Sequence, residues 1–197
     1  MKKSFFLVPL LLLATTAFAQ IGKGKTEVSA GGSFGSYSTS NKTGSYSYDS
    51  EGITYLHASF KIGYYISDGF EAEPELYALF MERSLPSFVV SANFLYNFNI
   101  TDTKAYPFLL IGYGLGNSYP LLVIHDAYIR NSDKFDVSCI NAGFGLKYFF
   151  NDYVGLRAEY RYQRYSHTYD DRYYTGTQNG EYKVNAHSVM FGFSLLF

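Results

Sequence analysis

The sequence predicts an all-β chain: eight antiparallel strands closed up-and-down into a transmembrane barrel. Three observations carry this. Apolar residues recur at every second position in eight separate segments, as they do on one face of a pleated strand. The connections between these segments alternate between short and long, with one exception. No segment beyond the first 19 residues approaches the length of a membrane-crossing helix, and no helical pattern is available to cover the apolar faces. Lipid is therefore their cover, and the polar faces turn inward.

The chain opens with Lys2 and Lys3, the apolar run FFLVPLLLLA, and small residues ending in Ala17-Phe18-Ala19. This is the three-part plan of a secretory signal peptide, with cleavage expected between Ala19 and Gln20. The apolar run is short for a membrane-spanning helix, which needs about 20 residues. The expected division is a signal peptide over 1–19 and one barrel domain over 20–197. Removing the two lysines takes the net charge of -1 to about -3, too mild to imply nucleic acid as a partner. Aromatic residues make up 20% of the chain, all Tyr or Phe, which suits the aromatic girdles of a membrane barrel. Cys139 is the only cysteine, so an internal disulfide is excluded even in an oxidising compartment.

Strand one, Thr26–Ser36, alternates Val28, Ala30, Gly32 and Phe34 against Glu27, Ser29, Gly31 and Ser33. A polar stretch, Ser38–Gly52, reads as a loop. Strand two, Ile53–Ile66, sets Leu56, Ala58, Phe60, Ile62 and Tyr64 against His57, Ser59, Lys61 and Gly63. Ser67-Asp68-Gly69 then forms a tight turn. Strand three, Phe70–Met81, places Glu71, Glu73, Glu75 and Tyr77 on one face. Pro74 within it cannot donate to the ladder, so a bulge or a locally missing bond is expected. After a short link at Arg83–Pro86, strand four opposes Phe88, Val90, Ala92, Phe94, Tyr96 and Phe98 to Ser91, Asn93 and Asn97. Thr101–Lys104 is the second short turn.

Strand five, Ala105–Gly116, turns Leu109, Ile111, Tyr113 and Leu115 one way and Leu110, Gly112, Gly114 and Gly116 the other. The connection Asn117–Lys134 contains LLVIHDAYI, which fits a strand extension or a short helix. Strand six, Phe135–Phe149, opposes Ile140, Ala142, Phe144, Leu146 and Tyr148 to Cys139, Asn141, Gly143, Gly145 and Lys147. Asn151-Asp152-Tyr153 is the third short turn. Strand seven, Val154–Ser166, carries Arg157, Glu159, Arg161 and Gln163 on its polar face, and His167–Val184 reads as the last long loop. Strand eight, Asn185–Phe197, closes the chain as NAHSVMFGFSLLF.

The polar faces collect Glu27, Lys61, Glu71, Glu73, Glu75, Lys147, Arg157, Glu159 and Arg161 in the lumen. Five acids against four bases in so narrow a barrel predict a salt-bridge network that plugs it, because buried charges persist when paired. Folding the hairpin about Asp68 puts Lys61 opposite Glu75. The glycines at 112, 114, 143 and 145 are expected to leave room for these long side chains. The alternative is a narrow porin-like channel lined by Glu71, Glu73 and Glu75. A lipid-modifying enzyme is the third reading, since His57 and Ser59 share a face. However, His187 and Ser188 lie on opposite faces, and neither pair has an evident orienting third group. No catalytic residue is therefore assigned. His125 and His167 fall in expected loops without metal-ligand spacing, so no metal or cofactor is assigned. The tyrosine-rich runs SYSYDS and TYDDRYY suit interfacial anchoring or a surface contact whose ligand is not identified.

The signal peptide, the eight alternating strands and the closing FGFSLLF resemble the small outer-membrane β-barrel proteins of the OmpX and OmpA transmembrane-domain type. That resemblance implies insertion by the β-barrel assembly machinery, which would recognise Val189, Phe191, Phe193, Leu195 and Phe197. Short turns on one side and long loops on the other are the bacterial outer-membrane plan, and a monomer in contact with outer-membrane lipid is expected.

Overall fold

The computed structural model describes residues 21–43, 46–80, 87–100, 103–116, 137–171 and 178–197. The signal peptide, the Arg83–Pro86 link, the LLVIHDAYI connection, His125 and the last three residues of TYDDRYY lie outside these residues. Eight strands follow in order: β1 (Thr26–Thr43), β2 (Tyr46–Tyr65), β3 (Phe70–Phe80), β4 (Ser87–Asn97), β5 (Ala105–Gly116), β6 (Val137–Phe149), β7 (Val154–Asp171) and β8 (Gln178–Leu196). Each pairs antiparallel with its neighbour in sequence, and β8 pairs with β1, closing the barrel. Closure leaves no sheet edge in the apolar zone, so the backbone groups there are satisfied within the wall. Among the described residues no helix is long and apolar enough to cross a membrane.

The wall follows the sequence alternation. Phe34, Phe60, Phe94, Ile111, Phe144, Phe191 and Phe193 stand outward and exposed, whereas the residues between them are buried in the lumen. The result is inside-out relative to a soluble protein, with charge within and hydrocarbon without. Outward aromatic rings pack along the turn end: Phe70 with Tyr96, Tyr96 with Phe98, and Tyr148 with Phe150.

The three short turns lie where the sequence places them. Gly69 takes a φ of 89°, a conformation open to glycine, and Ile66 N–H donates to Phe70 O at 2.9 Å. Thr103 Oγ1 donates to Ile100 O in the second turn. In the third, Asn151 Oδ1 accepts from the amides of Tyr153 and Val154 at 2.9 and 2.8 Å. The start of β1 and the end of β8 meet at this side, where Thr26 and Phe197 exchange backbone hydrogen bonds of 3.0 and 2.8 Å.

Two sequence expectations change. Much of the two polar stretches read as loops is strand: β1 runs on to Thr43 and β2 starts at Tyr46, while β7 reaches Asp171 and β8 starts at Gln178. Ser, Thr and Tyr pair through the backbone as well as apolar residues do, and a polar composition marks departure from lipid rather than the end of a strand. His167 consequently sits buried on β7, opposite Val137, and not in a loop. At Pro74 the second of the two expected outcomes is found, a local loss of pairing without a bulge. Lys61↔Glu75 and Tyr64↔Ala72 keep one register across it, and only the pairs at Ile62 and Gly63 are missing. A real register shift occurs elsewhere, between Tyr37 and Thr39.

Candidate functional site

The lumen is stacked in layers, beginning with an apolar floor at the turn end. Ile21, Tyr65, Tyr106, Phe149 and Leu196 form one buried cluster there. Ile21 precedes the first strand and is carried under the barrel by two contacts. Gly24 N–H donates to Tyr65 O at 2.9 Å, and Lys23 N–H donates to Asp68 Oδ1 at 3.1 Å.

Above the floor, Lys147 of β6 reaches two carboxylates. Its Nζ lies 2.7 Å from Glu27 Oε2 of β1 and 2.7 Å from Glu71 Oε2 of β3, and all three side chains are buried. Tyr65 OH donates to Glu27 Oε2 at 2.6 Å, and Asn97 Nδ2 donates to Glu71 Oε2 at 3.0 Å. The ammonium also stands 5.4 Å from the Tyr65 ring centroid and 5.7 Å from that of Phe108, within cation–π range. Gly63 makes this layer possible, because a Cβ there would overlap the Glu71 carboxylate.

The next layer braces the barrel across its width. Arg157 of β7 grips Glu73 of β3 with both guanidinium NH2 groups and donates from Nε to Glu159 Oε2 at 2.9 Å. Arg161, also of β7, donates to Glu75 Oε2 of β3 at 2.5 Å and from Nε to Glu159 Oε1 at 2.6 Å. β3 and β7 are four strands apart by either route around the wall, so these links cross the lumen. Lys61 is opposite Glu75 in the β2–β3 ladder at 3.7 Å, but its closer partner is Glu159 across the lumen at 3.0 Å. Each carboxylate here meets at least one cation, and the planar guanidinium suits two-point contact with it.

A neutral layer completes the stack. Asn93 Nδ2 donates to Glu75 Oε2 at 2.9 Å, and Asn141 Nδ2 donates to Asn93 Oδ1 at 3.1 Å. Gln163 Nε2 donates to Asn141 Oδ1 at 3.1 Å and to Tyr77 OH at 3.0 Å, and the hydroxyls of Tyr77 and Tyr165 lie 3.0 Å apart. Cys139 belongs to this layer, with Tyr77 OH 3.4 Å from its sulfur.

All nine charged residues picked from the sequence are thus lumenal and ion-paired, in two groups: Lys147 with Glu27 and Glu71, and Arg157, Arg161 and Lys61 with Glu73, Glu75 and Glu159. The reading of the sequence left out of the site their neutral partners Tyr65, Asn93 and Asn97, and the neutral residues Asn141, Gln163 and Tyr165 that extend the network beyond them. The signal was present, since each holds the inward parity of its strand, but attention rested on charge. The glycines serve differently from the expectation. Gly112 makes room for the Asn93 amide and Gly145 for the Phe108 ring, while it is Gly63 that makes room for a charged side chain. Phe108 in turn supports the Arg157 guanidinium, 4.7 Å from its ring centroid.

His57 and Ser59 are both buried in the lumen, and neither ring nitrogen of His57 has a hydrogen-bond partner, so no His–Ser dyad is formed. His187 faces outward with Nδ1 2.7 Å from Tyr160 OH, while Ser188 faces inward. Among the described residues no group of His, Cys, Asp and Glu has the arrangement of a metal site. Val189, Phe191, Phe193, Leu195 and Phe197 form an exposed outward row on the closing strand and its end.

A family model described as outer membrane protein beta-barrel domain matches residues 5–195. The fold is similar to three solved barrels. The N-terminal β-barrel domain of Pseudomonas aeruginosa OprF has a TM-score of 0.52 at 17% identity, with 90% of this chain and 100% of that one covered. Neisserial surface protein A has a TM-score of 0.56 at 14% identity, with 89% and 99% covered. OprG from Pseudomonas aeruginosa has a TM-score of 0.52 at 14% identity, with 92% and 99% covered. No curated protein sequence matches the chain.

Proposed function

This chain belongs to the outer membrane protein beta-barrel domain family, and on that premise we propose that it is a non-enzymatic barrel whose lumen is closed by its own side chains. It serves envelope integrity or surface contact through its extracellular loops. One observation carries the closed lumen: Arg157–Glu73 and Arg161–Glu75 join opposite walls at the level where Lys61 and Glu159 fill the remaining width. An ion crossing this level would have to separate paired, desolvated charges, and a barrel of eight strands is just wide enough for its own side chains. The apolar floor around Ile21 adds a second barrier at the turn end.

In this reading the short turns and both chain ends face the periplasm, and the longer connections face outward, following the plan of bacterial outer-membrane barrels. The leader up to Ala19 is removed on export. The outward row ending in Phe197 serves as the signal read by the β-barrel assembly machinery, and the barrel works as a monomer in outer-membrane lipid. Planar-bilayer recording tests the closed lumen. The expected result is no stable unitary conductance from the native barrel. Stable openings whose size or selectivity changes with Glu73→Gln would make it a channel instead.

A further inference from the structure

The outward side of the β7–β8 pair changes character within a few rungs of its ladder. Ala158 stands opposite Phe191 and Tyr160 opposite Val189, then Tyr162 opposite His187, Arg164 opposite Asn185 and Ser166 opposite Lys183. Apolar rungs give way to aromatic and then to cationic ones. Arg164 is exposed and Lys183 half-buried on this face, and among the described side chains they are the only charged ones that a strand turns outward.

Both tyrosines lean towards the cationic end. Tyr160 OH lies 2.7 Å from Nδ1 of His187, one rung beyond its own partner, and Tyr162 OH donates at 2.7 Å to Asn185 Oδ1, again one rung on. Amphipathic rings at a membrane boundary turn their hydroxyls to the polar side, so these two mark where lipid tails end and headgroups begin. Arg164 is the first rung past that boundary, about 7 Å along the strand from Tyr162. Its neighbour on β6 is the exposed Ile140. A guanidinium set between an apolar side chain and the tyrosines lies among headgroups, not in open water.

Two cations and an imidazole at this level select an anion, and the apolar rungs directly below select hydrocarbon attached to it. A free anion would use only the upper half of the face and a neutral lipid only the lower half. Phosphate suits the upper half, because a guanidinium contacts it at two points and an ammonium as a point charge.

We propose that the outer wall of β7–β8 binds a lipid carrying phosphate monoesters. The phosphate sits on Arg164 and Lys183 beside His187, and the acyl chains lie over Ala158 and Phe191. With the longer connections facing outward, as in the reading above on which this rests, the lipid belongs to the outer leaflet.

Native mass spectrometry of the refolded barrel in micelles tests this, with an acylated glucosamine disaccharide offered with and without its two phosphates. The phosphorylated lipid should be retained and the dephosphorylated one lost. Arg164→Gln with Lys183→Gln should lower retention roughly fivefold, the scale of two exposed ion pairs, with heat-modifiable migration showing that the variant is folded. Lys23→Gln with Lys25→Gln, which removes two exposed cations at the turn end, should leave retention unchanged. Equal retention of the two lipids, undiminished retention by the Arg164 and Lys183 variant, or equal loss in the turn-end variant overturns the site. Capture of inorganic phosphate in place of the lipid also overturns it. Micelles have no leaflets, so binding is read independently of the barrel's orientation and of the conductance that tests its lumen.

Discussion

Replacing Lys147 with Met keeps most of the side-chain volume and removes the one charge that Glu27 and Glu71 share. Both carboxylate oxygens lie 2.7 Å from Nζ, so without it two buried carboxylates face each other across no more than about 5 Å. At the effective dielectric constant of about 20 that suits protein sites, like charges at that distance repel by roughly 3 kcal/mol. Stranding one partner of a buried ion pair costs about 3–5 kcal/mol in measured cases, which agrees. For a domain of this size about 2–4 °C accompanies each kcal/mol, so a fall of roughly 6–20 °C in unfolding temperature is expected. The assay is heat-modifiable gel migration of the folded barrel in detergent, stepped through temperature. Glu27→Gln with Glu71→Gln in the same Lys147→Met background should recover most of the loss, because the repulsion is then gone. A Lys147→Met barrel that melts within about 2 °C of the native one would refute the shared-charge argument. Failure of the two glutamines to restore it would assign the loss to packing.

Three further outcomes are expected. Gly192→Val should destabilise the closing seam by about 1–3 kcal/mol, because a Cβ there lies 2.6 Å from Ala30 O and 3.0 Å from Gly31 Cα, both backbone atoms; urea unfolding in micelles reads this, and a neutral result would show that the seam is slack. Phe191→Arg places a charge in the middle of the outward row and should cost roughly 2–4 kcal/mol in bilayers; equal stability in lipid would place this face out of the membrane. Deleting Phe197 should lower the amount of barrel assembled in the outer membrane far more than it changes the melting of refolded protein; normal assembly would remove its role as a signal.

Much of the candidate site could be read from parity. Once the strands of Glu71, Glu73 and Glu75 and of Arg157, Glu159 and Arg161 are set with apolar faces outward, those six side chains have nowhere to go but the lumen. Lys61 opposite Glu75 could be read as well, because a two-stranded hairpin fixes its own register through its turn. Its closer partner, Glu159, lies at a separation of 98 residues and could not be read. The polar extensions of β1, β2, β7 and β8 went unread because polarity there reports the surroundings of a strand, not its pairing. His167 was misplaced for the same reason.

What the sequence determined by itself is therefore everything that depends on the pleat and on single turns. This covers the eight strands, the side of the wall each residue faces, the end at which the short turns gather and the sign of the charge inside. Only the tertiary structure decided what meets across the barrel. Arg157 finding Glu73, Lys147 lying between Glu27 and Glu71, Gly63 yielding to Glu71 and Ile21 sealing the floor all depend on how far each strand is staggered against the next. That stagger accumulates around the ring and is fixed only when β8 pairs with β1. Alternation repeats every two residues along one strand, so it is blind to height, and height is what sets the partners across the lumen.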